Sequence, residues 1–88
     1  MKFIFTKHLT RDKLPILKEL GWTITKAQIR NTIKNPKWTG ITKRNQETAM
    51  SVIDKKHILR VIFKREGDII KVITVHIARR GKYESTLR

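Results

Sequence analysis

The fold is decided by residues 58–77, which read ILRVIFKREGDIIKVITVHI. Apolar side chains at 59, 61 and 63 alternate with basic ones at 60 and 64, which is typical of a strand with one apolar face. Gly67 supplies the positive φ of a hairpin loop, and the next strand covers residues 69–77, with its odd and even positions on opposite faces. With a strand at 48–53, the pattern predicts an antiparallel meander. Residues 2–6 are an optional fourth strand, and residues 37–46 are polar and basic and read as a loop.

Two helices are predicted before the meander. The first covers residues 12–21, with Asp12 as its N-cap and Pro15 in its first turn, where the missing N–H of proline costs nothing. A helix that begins earlier would place Pro15 in its interior, so we reject that interpretation. The capping box TKAQ, which begins at Thr25, predicts a second helix over 26–34. We therefore expect an α+β fold with the two N-terminal helices packed on one face of a three- to four-stranded antiparallel sheet.

The chain is strongly basic. Its 88 residues carry 21 Lys and Arg against 7 Asp and Glu, a formal net charge of +14, and this length predicts one domain over residues 1–88. Because the charge is spread along the chain, we expect a polyanionic partner. Nucleic acid is the first candidate, and an anionic membrane surface or an acidic protein are the alternatives on charge alone. The lack of Cys excludes a disulfide scaffold and a Cys-based zinc site or nucleophile. No apolar run approaches the roughly 20 residues that span a bilayer, which predicts a cytoplasmic protein.

Two histidine–arginine pairs are candidates for catalysis. His8 and Arg11 precede the first helix, and His76 and Arg79 end the last strand. Histidine transfers protons near neutral pH and arginine holds phosphate, which suits RNA cleavage by the ribose 2′-hydroxyl. The alternative is structural, with His8 packed at a strand-to-helix junction, Arg11 solvated and His76 bonded to backbone. The third histidine, His57, lies in a predicted turn and is interpreted as solvated.

Basic side chains on the second helix, the sheet and the C-terminal segment are candidates for binding a nucleic-acid backbone: Lys26, Arg30, Lys34, Arg60, Lys64, Lys71, Arg80 and Lys82. Tyr83 adds a ring that can stack on a base or act as an acid. We expect these groups to converge on one surface, and the alternative is a set of solvated charges with a frayed C-terminus. No glycine-rich phosphate loop and no local spacing of metal ligands is present, so neither a cofactor nor a metal is expected.

Two segments carry a resemblance to a known superfamily. Residues 5–11 read FTKHLTR and residues 71–75 read KVITV, and between them lie the helix start at 24–29 and the Asn-Pro stop at 35–36. In order and spacing these segments resemble the RelE/ParE-like toxin superfamily, and more narrowly a small uncharacterised family often placed near it. The resemblance spans about residues 5–83.

This resemblance implies a RelE-like fold and a metal-independent endoribonuclease of a toxin–antitoxin system, which cleaves mRNA on the ribosome. It implies RNA or the ribosome as a partner, a small acidic antitoxin-like protein as another, and no membrane. The positions that match the basic, His and Tyr side chains of the superfamily are His8, Arg11, Arg60, His76, Arg79 and Tyr83. The alternative function is a non-catalytic basic domain of the same fold that binds nucleic acid or another protein.

Overall fold

The protein is built from a five-stranded sheet and two helical segments, and the computed structural model describes residues 1–80. The strands are β1 (Lys2–Phe5), β2 (Trp38–Ile41), β3 (Glu47–Val52), β4 (His57–Glu66) and β5 (Ile69–Arg79). A π-helical turn, His8–Lys13, runs directly into α1, Leu14–Glu19, and the second helical segment is α2, Lys26–Lys34. The α+β class predicted from the sequence is confirmed.

The sheet is larger than predicted and mixed. β3, β4 and β5 form the expected antiparallel meander, with Gly67 at φ 60° in the loop between β4 and β5. The prediction of a three- to four-stranded, wholly antiparallel sheet is wrong, because the strand order is β1-β5-β4-β3-β2 and β1 pairs parallel with β5. A parallel pair needs a long connection, and the helices and the meander supply it.

β2 lies within residues 37–46, so the prediction of a loop over that whole stretch is wrong. It pairs antiparallel with β3, and a five-residue connection joins the two strands. Thr42 closes this connection: its N–H donates to the Gln46 carbonyl at 2.8 Å, and its Oγ1 accepts the N–H groups of Arg44 and Gln46 at 3.2 and 3.1 Å. Asn45 takes the left-handed φ of 62°. A four-residue edge strand is too short for a clear period of two, which explains why the sequence pattern missed it.

The first helical segment begins earlier than predicted. Its π-helical turn starts at His8, and the N–H of Leu14 donates to the carbonyl of Leu9, an i to i−5 bond that widens the turn just before Pro15. The missing N–H of Pro15 therefore falls where the α-helical register is only starting. The predicted Asp12 cap is absent, since no side-chain cap bond is present at the start of α1 among residues 1–80. Thr6 fixes the entry instead, because its Oγ1 accepts the Leu9 N–H at 3.3 Å.

The second helix matches its prediction, Lys26–Lys34. Thr25 is the N-cap, and its Oγ1 accepts the backbone N–H of Gln28 at 3.1 Å. The buried residues Ile29 and Ile33 point to the sheet. Thr32 attaches the helix to β3 through a 2.7 Å hydrogen bond between its hydroxyl and that of Ser51.

A β-bulge in β5 sets which side chains face the helices. The pairing with β4 skips Ile73, so that Val72 and Thr74 pair with neighbouring residues of β4. The prediction of strict odd and even faces over 69–77 is therefore wrong. The residues of β5 that pack toward the helices are Ile70, Val72, Val75 and Ile77. Thr74 and His76 lie on the opposite side, which we call the outer face and which also carries Arg60 and Ile62 of β4.

The main core lies between the helical segments and the inner face of the sheet. It is formed by buried apolar side chains: Leu9, Leu17, Ile24, Ile29, Ile33, Ala49, Leu59, Val61, Phe63, Ile70, Val72 and Val75. Each fully buried Val, Leu, Ile or Phe side chain among them contributes about 1.5–3 kcal/mol of burial free energy. On the outer face, Met50, Ile58 and Ile62 are also buried. Within residues 1–80, the helices are too short and too polar for any of them to cross a membrane.

Candidate active site

A cleft lies where β5 extends beyond β1. β1 pairs with β5 only from Ile69 to Val72, and beyond that point the π-helical turn packs against β5. The end of β5 is joined to the start of β4 by the pairing of Arg79 with His57. The resulting cleft has a volume of about 330 Å³ and is lined by Lys13, Leu17, Leu20, Trp22, His57, His76, Ile77, Ala78 and Arg79. This volume is in the range of small-ligand sites.

His57 is held in one orientation in this cleft. Its Nδ1 lies 3.0 and 3.2 Å from the two carboxylate oxygens of Asp54. Trp22 meets the imidazole edge-on, with ring centroids 4.7 Å apart and an interplanar angle of 62°. Because Nδ1 is engaged by the carboxylate, Nε2 is the nitrogen that can exchange a proton with a ligand.

Asp54 is itself fixed by the turn that precedes β4. Its Oδ1 accepts the backbone N–H groups of Lys56 and His57, each at 2.8 Å. The bond from Lys56 is the main reason that the pKa of the Asp54 carboxyl lies below its ordinary value, and the His57 ring adds to this lowering while partial desolvation opposes it. Asp54 is therefore ionised at neutral pH, and its carboxylate faces Nδ1 of the His57 ring.

The second imidazole of the cleft, His76, differs from His57 in its surroundings. Burial lowers the pKa of His76 below its ordinary value, and the positive charges of Lys13, Arg60 and His8 lower it further, in that order. At neutral pH the neutral ring is consequently the dominant form, and a neutral imidazole accepts a proton. His57 has the inner-face parity of Leu59 and His76 lies on the outer face, so the two imidazoles line the cleft from opposite faces at the edge of the sheet.

The cations Lys13 and Arg79 line the same cleft as the two imidazoles. Arg79 is exposed at the end of β5, and the backbone N–H of the next residue, Arg80, donates to the Lys56 carbonyl at 2.8 Å. This bond ties the end of β5 to the turn that carries Asp54. Two cations beside an acid–base pair can neutralise the charge of a phosphate group.

The residues predicted for catalysis are only partly brought together. His76 and Arg79 share the cleft, whereas His8 lines a separate groove on the outer face with Arg60. Arg11 is exposed in the π-helical turn. Tyr83 lies outside the described residues.

The predicted binding cations are divided between the two sides of the sheet. Lys64 and Lys71 are exposed partners in the β4–β5 ladder on the outer face, and Arg60 is paired with His76. On α2, the amino group of Lys26 lies 5.4 Å from the Phe5 ring centroid and that of Lys34 lies 5.9 Å from the Phe3 ring centroid.

The helix cations therefore belong to the helical side, together with Arg30, which is half-buried on α2. The expected convergence of the helix and sheet cations on one surface is not what the fold produces. Lys82, like Tyr83, is outside the described residues.

Neither Asp54 nor Lys13 is predicted from the sequence as a site residue, and His57 is predicted there to be solvated. The signal for two of them was present, because Asp54 and His57 are three residues apart in a turn, a spacing at which an Asp side chain bonds the following backbone N–H groups. What the sequence does not supply is the pairing that brings His57 beside Arg79.

Comparisons with protein-family models, with curated proteins and with solved structures give no match to this chain. Within residues 1–80, no group of three or more His, Asp or Glu side chains is close enough to hold a metal ion.

Proposed function

We propose that the protein is a metal-independent, toxin-like endoribonuclease whose active site is the cleft of His57 and His76. The observation that carries this proposal is the presence in one cleft of two imidazoles in unlike surroundings, one beside a carboxylate and one desolvated among cations, together with Lys13 and Arg79. An acid, a base and cations beside the phosphate are the groups that metal-independent phosphodiester cleavage uses.

The proposed reaction uses the 2′-hydroxyl of the RNA as nucleophile. Neutral His76 accepts the 2′-hydroxyl proton, and the 2′-oxygen forms a bond to the neighbouring phosphorus. The bond between phosphorus and the 5′-oxygen breaks, and protonated His57 donates a proton from Nε2 to that leaving oxygen. Lys13 and Arg79 stabilise the negative charge that develops on the phosphoryl oxygens. The products are a 2′,3′-cyclic phosphate and a free 5′-hydroxyl.

The same proposal includes a RelE-like fold family and a cellular target. The two helical segments on one side of a sheet, the net charge of +14 and the segments FTKHLTR and KVITV support a RelE-like domain that acts on mRNA at the ribosome in the cytoplasm. A protein this basic also suits an acidic antitoxin-like partner, which would cover the cationic surface until release.

The test is cleavage of a single-stranded RNA by the purified protein in the presence of a chelator, with and without ribosomes. We expect a 2′,3′-cyclic phosphate product and no cleavage of DNA of the same sequence. His57→Ala and His76→Ala are expected to lower the cleavage rate by about 10²–10⁴-fold. Lys18→Ala, an exposed cation of α1 outside the cleft, is the control and keeps the wild-type rate.

Two results would contradict the proposal. Equal cleavage by the wild type and by both histidine variants would move the chemistry elsewhere. Salt-dependent RNA binding without cleavage, also on ribosomes, would favour the alternative of a non-catalytic nucleic-acid-binding domain.

A further inference from the structure

A second basic groove lies on the outer face, between the sheet and the connection from β2 to β3. It has a volume of about 430 Å³, and the lining residues that matter here are His8, Lys43, Arg44, Arg60 and Thr74. The hydrogen bonds of Thr42 described above fix the backbone that carries Lys43 and Arg44. The backbone positions of Lys43 and Arg44 beside the groove are therefore fixed by hydrogen bonds.

The charge of this groove selects an anion. Lys43, Arg44 and Arg60 contribute three positive charges, and none of the lining residues, all within 1–80, is acidic. The carboxylate of Asp12 lies 3.8 Å from Nδ1 of His8. Arginine and lysine together are the usual protein ligands of phosphate. The polarity of the groove thus matches a phosphodiester.

Thr74 provides an independent observation. Its Oγ1 is buried and is the one such side-chain polar atom without a hydrogen-bond partner among residues 1–80. Buried hydroxyls are normally satisfied, because an unpaired one costs free energy. Thr74 also lines the groove, so its unsatisfied hydroxyl lies beside the place where an anion would bind.

The groove and the cleft are adjacent along β5. Thr74 and His76 are two residues apart on the same face of the strand, which corresponds to about 6.6 Å along it. Arg60 lines the groove and is paired with His76 across the ladder. A chain with its scissile phosphate at His76 can therefore place a neighbouring phosphate at Thr74.

We propose that this groove binds the phosphate next to the scissile one, so that the substrate is a single-stranded RNA held by at least two consecutive phosphates. This inference rests on the proposed function, which assigns the scissile phosphate to the cleft. The connection between β2 and β3 is then a substrate-binding element. Neither Lys43, Arg44 nor Thr74 was singled out by the sequence as a binding residue.

The test measures binding and not cleavage, so that it fails separately from the proposed function. The probes are 2′-O-methyl di- and triuridylate, which carry one and two phosphodiesters and lack the nucleophile. We expect the second phosphodiester to tighten binding to the wild type by about 10- to 100-fold, the range of a charge-assisted contact. The double variant Lys43→Ala/Arg44→Ala is expected to lose this gain and to bind the dinucleotide as the wild type does.

The matched control removes the same charge elsewhere. Lys18→Ala/Lys37→Ala replaces two exposed cations that line neither the cleft nor the groove, and it is expected to keep the gain. Thr74→Val tests the hydroxyl alone and is expected to reduce the gain by about 3- to 10-fold. Thermal unfolding of each variant confirms that it is folded.

Three outcomes overturn the proposal. The first is an equal affinity of the wild type for the two probes, and the second is a gain that survives in Lys43→Ala/Arg44→Ala. The third is binding of inorganic phosphate as tightly as the trinucleotide with the same dependence on Lys43 and Arg44, because the groove then takes a free anion and not an RNA chain.

Discussion

Replacement of Thr74 by valine should make the protein more stable. The Thr74 hydroxyl is buried without a partner in the described residues, and such a group costs about 1–3 kcal/mol. Valine has nearly the same shape, is favoured in strands and carries no group to satisfy. Allowing for imperfect packing of the new methyl group, we expect the free energy of unfolding to rise by about 1 kcal/mol, which for a domain of this size raises Tm by about 4–8 °C.

The assay is thermal and urea unfolding followed by circular dichroism, with Thr32→Val as the control. The Thr32 hydroxyl lies 2.7 Å from Ser51 Oγ and donates to the Gln28 carbonyl at 2.8 Å, so its removal should lower the free energy of unfolding by about 1–2 kcal/mol. The two Thr-to-Val changes are expected to have opposite signs. A loss of stability in Thr74→Val equal to that in Thr32→Val would show that the Thr74 hydroxyl already has a partner. The unsatisfied hydroxyl would then no longer support the groove as a phosphate site.

Four further predictions concern the cleft and the α2 cap. Burial and the charges of Lys13, Arg60 and His8 lower the pKa of His76, so an NMR titration should place that pKa below 6.5, and cleavage should be lost on the acidic side at the same pH. Lys13→Met should raise both the pKa of His76 and this acidic limit of cleavage. An unchanged His76 titration in Lys13→Met would contradict the geometry of the cleft. The unfolded chain binds a proton at His76 more readily than the folded chain does, so the free energy of unfolding should fall as pH is lowered from about 6.5 through the folded pKa of His76. Urea unfolding at several pH values should show this fall in the wild type and a smaller one in His76→Gln. Asp54→Asn should lower the cleavage rate at least about tenfold with little change in RNA affinity, because it frees the His57 ring, and a loss of affinity alone would assign Asp54 a binding role. Thr25→Ala should cost about 1 kcal/mol of unfolding free energy through the lost α2 cap, and equal loss in the exposed neighbour variant Thr23→Ala would show that the cap is not the cause.

The elements that could be predicted from the sequence are those set by local interactions. The Thr25 cap and the alternation over β4 act within a few residues of the chain, and both appear where they were expected. The start of the first helical segment depends on Thr6, whose Oγ1 also donates to the Ile73 carbonyl at 2.8 Å, a contact across most of the chain. Proline is disfavoured inside an α-helix, but the turn before Pro15 is π-helical, so the helical segment can begin earlier than that rule allows.

The candidate site was harder to predict than the fold. His76 and Arg79 are close in sequence and were found together, but His57 joins them only through the register of β4 and β5. The turn that carries His57 is predicted from the sequence to be solvated. A run of polar residues looks the same in a surface loop as in an ordered Asp–His arrangement. The position of His8 beside Arg60 instead of in the cleft likewise follows from the path of the π-helical turn along the edge of β5.

The extra residue in β5 has a consequence for how such a protein can change. Side chains on a strand alternate, so one inserted residue inverts the parity of everything that follows it. Ile73 is that residue, and His76 is downstream of it. Removing Ile73 would leave Val72 opposite Phe63 and Thr74 opposite Ile62, so the ladder would run without a bulge and His76 would stay on the outer face. A single-codon deletion of Ile73 would thus preserve both faces of β5, whereas pairing of Ile73 into the ladder without a bulge would turn His76 into the apolar interior.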